Sequence, residues 1–258
     1  MEYLTINIDM DQITEEFLLT HKDAKWRLPP LPANIIDTYE LARWIFQQNL
    51  GWIKLDLEFD INAWKSDYQN IKEYTQPHRA TDSSGWHSCC IHGLGVDKTE
   101  NAVSYGYEDE NNAPYAWTEL ADKAPTITNF FKNVFPSENY KRIRVMEIIP
   151  GGYIKPHGDI PEEFNVDTDL DPMDFGVPVN IALIHPDNCV MPFEHKGILP
   201  YKEGELYIPN VAIKHAFLNY SDQSRIHIIA DVIPGNKKHE YAQLVVNSYK
   251  KEYDKQVF

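Results

Sequence analysis

A mainly β chain with flanking helices, built on a double-stranded β-helix (jelly-roll) core, is the fold class this sequence predicts. Three observations carry the prediction. From Tyr140 onward, short apolar runs alternate with polar residues at the period of a half-buried strand. Clusters of Pro, Gly, Asn and Asp separate those runs at short intervals, as in a double sheet whose inward positions line a small cavity. Helical apolar spacing is confined to the first half of the chain and to its C-terminal end. One domain over 1–258 is expected, with a helix-rich part over 1–135, the jelly-roll core over 140–233 and a C-terminal helix over 238–254.

The elements follow in order. Tyr3 to Ile8 places Leu4, Ile6 and Ile8 on one side and reads as an opening strand, followed by a short helix around Asp11 to Leu19. Pro29-Pro30-Leu31-Pro32 is rigid and extended, because proline fixes its own φ and restricts the residue before it. Asp37-Thr38-Tyr39-Glu40 has the spacing of a capping box, and Tyr39, Ala42, Ile45, Phe46 and Leu50 follow on a helical face, giving a helix from Asp37 to Gln48. Trp64 to Tyr74 reads as a second, weaker helix. Gly85, Gly93 and Gly95 bound a strand-like piece containing Trp86, His87 and His92, with Arg79 just before it. Glu108 to Asn112 is a solvated acidic loop. A helix is expected over Thr118 to Lys123, and Pro125 opens another with Ile127, Phe130, Phe131 and Val134 at helical spacing, which Pro136 ends.

Within the core, Arg144 to Ile149 reads as a strand ending in a Pro150-Gly151-Gly152 turn. The acidic, proline-containing run from Pro161 to Pro172 is either a lid or a surface insertion. Val177 to Ile184 sets Val179, Ile181 and Leu183 against Asn180, Ala182 and Ile184. His185 to Asn188 is a turn, Cys189 to Phe193 a strand and Glu194 to Gly197 a hairpin connection, so His185 and His195 are expected to be exposed beside turns. Leu206 to Ile208, Ile213 to Leu218 and Ile226 to Val232 complete the strands. Lys238 to Tyr253 is a helix packed through Tyr241, Leu244, Val245 and Tyr249.

Composition narrows the function. A net charge of −15 without a basic cluster argues against nucleic acid. Three cysteines, Cys89, Cys90 and Cys189, make no disulfide framework, which fits a reducing compartment. With neither a signal-like start nor an apolar stretch long enough to span a bilayer, a cytoplasmic protein with no membrane partner is expected.

The chemistry concentrates after the Pro-Gly-Gly turn, where His157 and Asp159 stand two positions apart. In extended backbone both project to one face, supplying two thirds of the 2-His-1-carboxylate set that holds non-haem Fe(II). His215, in a distant strand, is the candidate third ligand. Arg225, ten positions further on, shares a strand face with Ile229 and needs an anion, for which a carboxylate in two-point contact is suited.

This order of His-x-Asp, distal His and then Arg resembles the Fe(II)/2-oxoglutarate oxygenases, and among them the aspartyl/asparaginyl β-hydroxylase-like family that includes bacterial proline hydroxylases. Pro150-Gly151, the run Gly204 to Asn210 leading to His215, and Ser221 to Asp231 carry the same resemblance, which covers roughly residues 140 to 233. It implies one oxygenase domain with Fe(II) on His157, Asp159 and His215, 2-oxoglutarate and O2 at the open positions, and Arg225 on the distal carboxylate of 2-oxoglutarate. His227 and Asn180 would border the co-substrate. Arg79, Trp86, His87 and His92 would face a substrate that is an amino acid or a peptidyl residue of Asp, Asn or Pro type.

The sequence departs from that family's pattern in one strand. Relatives often carry Arg and His where Val177 to Ile184 stands, and here Asn180 is the polar residue. It keeps a carboxylate ligand, Asp159, which the vertebrate aspartyl β-hydroxylases lack. A cupin-like metal-binding protein, or a non-oxidative metalloenzyme such as an isomerase or hydrolase, remains open at this point, as do the oligomeric state and the identity of a small-molecule or peptide substrate.

Overall fold

A computed structural model describes residues 9–10, 14–21, 27–79, 83–159 and 177–257. The expected opening strand at Tyr3 to Ile8 and the 161–172 lid or insertion lie outside them, as does the start of the helix expected near Asp11. That helix, α1, is described over Glu15–His21.

The first half supplies helices and one long strand. In α2 (Thr38–Gln47), the Asp37 side chain accepts a hydrogen bond from the Glu40 backbone N–H, the cap its sequence predicts. α3 (Ile61–Ile71) begins three residues before the expected Trp64, because Asp60 accepts from the backbone N–H groups of Asn62 and Ala63 and fixes the start there. Strand β1 (Trp52–Leu55) lies between these helices. It is followed by β2 (Gln76–Pro77), β3 (Ser83–Gly93) and β4 (Ala116–Trp117), then the short helices α4 (Leu120–Lys123) and α5 (Pro125–Asn129).

The core strands are β5 (Asn139–His157), β6 (Val177–Ile184), β7 (Cys189–Val190), β8 (Pro192–Phe193), β9 (Gly197–Ile198), β10 (Leu206–Pro209), β11 (His215–Asn219) and β12 (Arg225–Ile233). Helix α6 (Lys238–Val257) closes the described chain. The main path through the sheet runs β1-β10-β6-β12-β5-β11-β8-β9, with β3 also on β5, and every pairing is antiparallel.

β5 turns this sheet into a jelly-roll half-barrel. Its first part pairs with β12 and β3, while Tyr153 to His157 pairs with β11. Where the sequence suggests a strand that stops at Pro150, the strand bends through Gly151 at φ 72° and continues. Gly152 makes the bend close: a Cβ there would stand 2.9 Å from the Ile149 carbonyl oxygen and 3.0 Å from that of Ser84.

Alternation along the strands separates two cores. Ile143 and Val145 of β5, Val179, Ile181 and Leu183 of β6, and Ile226, Ile228, Ala230 and Val232 of β12 face the helices, packing with Ile45, Trp64, Tyr241 and Val245. Their neighbours in sequence face inward, where Trp86, Met146, Ile148, Ala182, Phe193, Tyr207 and Phe217 form a second buried cluster. Removing aliphatic and aromatic surface from water on both faces is what holds the curved sheet, at roughly 1.5–3 kcal/mol per large side chain. Among the described residues no helix is long and apolar enough to cross a membrane.

Candidate active site

The half-barrel leaves a cavity of about 240 Å³ between its two halves, and His157, Asp159 and His215 stand at it together. Pairing of β5 with β11 sets His157 directly opposite His215, with ring centroids 4.5 Å apart. Two residues past His157, the Asp159 backbone N–H donates to the Val211 carbonyl at 2.8 Å, which holds that turn against the approach to β11. One ligating atom from each of the three residues lies within 4.8 Å of the others.

Backbone carbonyls orient both imidazoles. His157 Nδ1 donates to the Lys155 carbonyl at 2.7 Å and His215 Nδ1 donates to that of Ile213 at 2.9 Å. Since a carbonyl only accepts, Nδ1 carries a proton in both rings, so Nε2 is the atom that either ring offers a metal once it is neutral. Burial works to lower the pKa of His157, but its hydrogen bonds to Asp159 and the Lys155 carbonyl, with the Asp159 charge, outweigh burial and raise it. His157 Nε2 lies 3.4 Å from Asp159 Oδ1. Phe193 stacks on the His215 ring with centroids 5.4 Å apart and keeps that ring in plane. Burial works to raise the Asp159 pKa, but the hydrogen bond from His157 and the charges of His215, His157 and Arg79 outweigh it and hold the carboxyl at about 2. Burial lowers the pKa of His215, against a smaller pull from Asp159. Asp159 is therefore ionised and His215 neutral near pH 7, the states that metal ligation requires.

Arg225 lies deeper, 1% exposed, with its guanidinium 4.1 Å from the Phe217 ring centroid. Among the described residues no carboxylate pairs with it, and its Nε has no partner. Burial lowers its pKa to about 10, opposed by Cys189 and Tyr201, so it stays protonated near pH 7. Behind it runs a chain of histidines. Arg225 Nη2 lies 2.5 Å from His227 Nδ1, and His227 Nε2 lies 2.9 Å from His185 Nδ1. Asn180, which lines the cavity, sets its Oδ1 2.6 Å from the same His227 Nδ1. His185 is thus not the exposed turn residue expected from its neighbours. It packs against Tyr201 with centroids 5.2 Å apart, because the β6 end carries it over β12.

The four residues expected on the substrate side divide. Arg79, at φ 43°, and Trp86 line the cavity. His87 and His92 are not among its lining residues. His87 stands opposite Glu147, next along β3 to the inward-facing Trp86 and so on the other face. A register irregularity between Cys90 and His92 turns His92 toward Trp117, whose ring centroid is 4.9 Å away. Other cavity residues, His78, Arg142 and Arg144, escape sequence reasoning. His78 has no periodic pattern around it. Arg142 and Arg144 do alternate with Ile143 and Val145, a signal that the inward face of β5 is cationic.

The sequence matches the family model described as aspartyl/asparaginyl beta-hydroxylase over residues 52–234. No curated protein matches the chain. Solved structures with a similar course of the chain include a Pseudomonas putida prolyl-4-hydroxylase, at 13% identity and TM-score 0.42 over 74% of this chain and 97% of that one. A 2OG-Fe(II) oxygenase family oxidoreductase from Burkholderia pseudomallei gives 13% and 0.44 over 77% and 91%. The viral collagen prolyl hydroxylase of Paramecium bursaria Chlorella virus-1 gives 16% and 0.40 over 71% and 96%. At these scores the structural likenesses carry no weight, and the assignment rests on the sequence match, which spans the half-barrel and the strands beside it. The chain belongs to the aspartyl/asparaginyl β-hydroxylase family of Fe(II)- and 2-oxoglutarate-dependent dioxygenases.

Proposed function

We propose that this chain hydroxylates an amino acid or a peptidyl residue of Asp, Asn or Pro type, with Fe(II) held by His157, Asp159 and His215. The observation that carries the reading is the convergence of one ligating atom from each of two imidazoles and an ionised carboxylate within 4.8 Å, each imidazole being turned by a backbone carbonyl. Two nitrogens and one oxygen suit Fe(II) and leave positions open for small molecules. Bound there, iron with 2-oxoglutarate and O2 supplies oxidative decarboxylation to succinate and CO2 coupled to hydroxylation of a C–H bond.

The chain's own residues bind and orient. Arg225 is a buried cation that no carboxylate among the described residues pairs with, and the distal carboxylate of 2-oxoglutarate provides the two-point partner its fork fits. His227 and Asn180 flank that guanidinium and limit its swing. Phe217 and Met146 give the cavity apolar walls that exclude water, while Trp86 and Arg79 line the side through which a substrate would lie.

Oxygen-dependent succinate release across a panel of free amino acids and short peptides tests the reading. The expected result is release that rises with one substrate class and disappears in His157→Ala and His215→Ala. Iron-loaded, folded protein that releases no succinate with any member of the panel would favour a metal centre without oxidative chemistry.

A further inference from the structure

The cavity has a second cationic end, remote from Arg225, that the proposed chemistry does not use. Arg144 is 7% exposed and His78 2% exposed, and both line the cavity together with Arg142. Asp231 partly neutralises the pair, accepting from Arg142 Nε at 2.7 Å and Arg144 Nη2 at 3.3 Å, and the Thr99 carbonyl accepts from Arg144 Nη1 at 3.2 Å. Among the described residues Arg142 Nη1, Arg144 Nε and His78 Nε2 are buried and find no partner.

His78 offers a donor here. The Thr99 hydroxyl lies 2.7 Å and the Ser88 hydroxyl 3.2 Å from its Nδ1, and with both donating to that nitrogen the ring proton is on Nε2. Burial, with Arg144, Arg79 and Arg142 nearby, pushes the imidazole down to about 2, so it is neutral. Charge is also left over. Two guanidinium groups touch one carboxylate, and Glu110, 3.7 Å from Arg142, is shared with Lys141 at 3.8 Å. Among the described residues one positive charge of this group therefore remains without a paired carboxylate. Burying such a charge is costly unless an anion completes it.

We propose that Arg142, Arg144 and His78 form a carboxylate subsite and that the substrate is a small monocarboxylic acid, a free amino acid held by its α-carboxylate, rather than a residue within a peptide. A single carboxylate supplies one negative charge and enough lone pairs for three donors. The subsite is separate from the co-substrate arginine: Arg144 stands opposite Ile229, four positions along β12 from Arg225, or about 13 Å of extended strand. This deepens the functional reading above and rests on Arg225 holding 2-oxoglutarate.

Calorimetric titration of the full chain, loaded anaerobically with Fe(II) and 2-oxoglutarate, tests the subsite. The probes are the twenty free L-amino acids and their C-terminal amides. At least one acid is expected to bind about tenfold or more tightly than its amide, the loss expected of a charge-assisted contact. Arg144→Gln should abolish that preference. His78→Leu, which leaves the Asp231 pairs intact and so guards against a folding failure, should weaken the acid and leave the amide as it was. Arg225→Gln should instead weaken 2-oxoglutarate. Wild-type protein that binds 2-oxoglutarate but binds acid and amide alike, or neither, overturns the subsite, as does an undiminished acid preference in both variants. Failure of wild-type protein to bind 2-oxoglutarate would instead sink the functional reading on which the subsite rests.

Discussion

The Lys155 and Ile213 carbonyls keep a proton on Nδ1 of His157 and His215, so each imidazole, once neutral, presents a single lone pair in a set direction. Replacing either histidine with Ala removes a proposed ligand. Metal content after anaerobic reconstitution should fall from one iron per chain to background in both variants, and retention of iron by either would count against the assignment. Arg225→Ala should keep iron while raising the KM for 2-oxoglutarate about tenfold or more, with kcat changed less; steady-state kinetics in 2-oxoglutarate separates the two. That His157, Asp159, His215 and Arg225 meet at one cavity was legible because a His-x-Asp pair on extended backbone has few structural uses and the order of the four resembles that of the family. His78 and His185 were not. Each sits beside a turn, and its place in the cavity or behind Arg225 is made by strand pairing that local sequence does not encode.

At the scale of elements, strand β5 does most to build the site, because one continuous backbone carries Arg142 and Arg144 on one half of the barrel and His157 on the other. The bend depends on Gly152, where a Cβ would press on two carbonyl oxygens and on Ile148 Cγ2 at 2.9 Å. Gly152→Ala should therefore destabilise the protein by about 1–3 kcal/mol and loosen iron binding, whereas the same change at Gly106, where a Cβ meets nothing and the cost comes from the left-handed backbone at φ 87°, should leave iron binding intact. Thermal melts and iron affinity of the two variants check this. Alternation of apolar and polar residues makes the inward and outward faces of β5, β6 and β12 readable in the sequence itself. It does not reveal that β5 continues past Pro150, since Pro-Gly-Gly spells a turn locally and only its pairing with β3 and β11 keeps it in the sheet.

For the molecule as a whole, the buried histidines make stability depend on pH. Burial lowers the pKa of His78 to about 2 and that of His92 to about 4, and His227, buried beside Arg225, falls well below its ordinary value. Below about pH 6.5 the unfolded chain binds protons at these positions that the folded chain refuses, so stability is full above that pH and is lost as pH falls through the window. Each histidine contributes roughly 1 kcal/mol per pH unit there, and denaturation midpoints should drop steeply between pH 7 and pH 5. A midpoint unchanged over that range would contradict the burial described. The jelly-roll class was legible from strand spacing, but the order of strands was not, because pairs such as β1 with β10 join segments far apart in the chain, and sequence periodicity is silent about partners.

The central claim is that two imidazoles and one carboxylate share an iron beside an arginine that holds 2-oxoglutarate. Anaerobic titration of the iron-loaded chain with 2-oxoglutarate, followed by visible absorption, tests it most directly. A metal-to-ligand charge-transfer band that saturates at one 2-oxoglutarate per iron, and is absent from His215→Ala, is the predicted result. Folded wild-type protein that binds iron but shows no band at saturating 2-oxoglutarate would contradict the account.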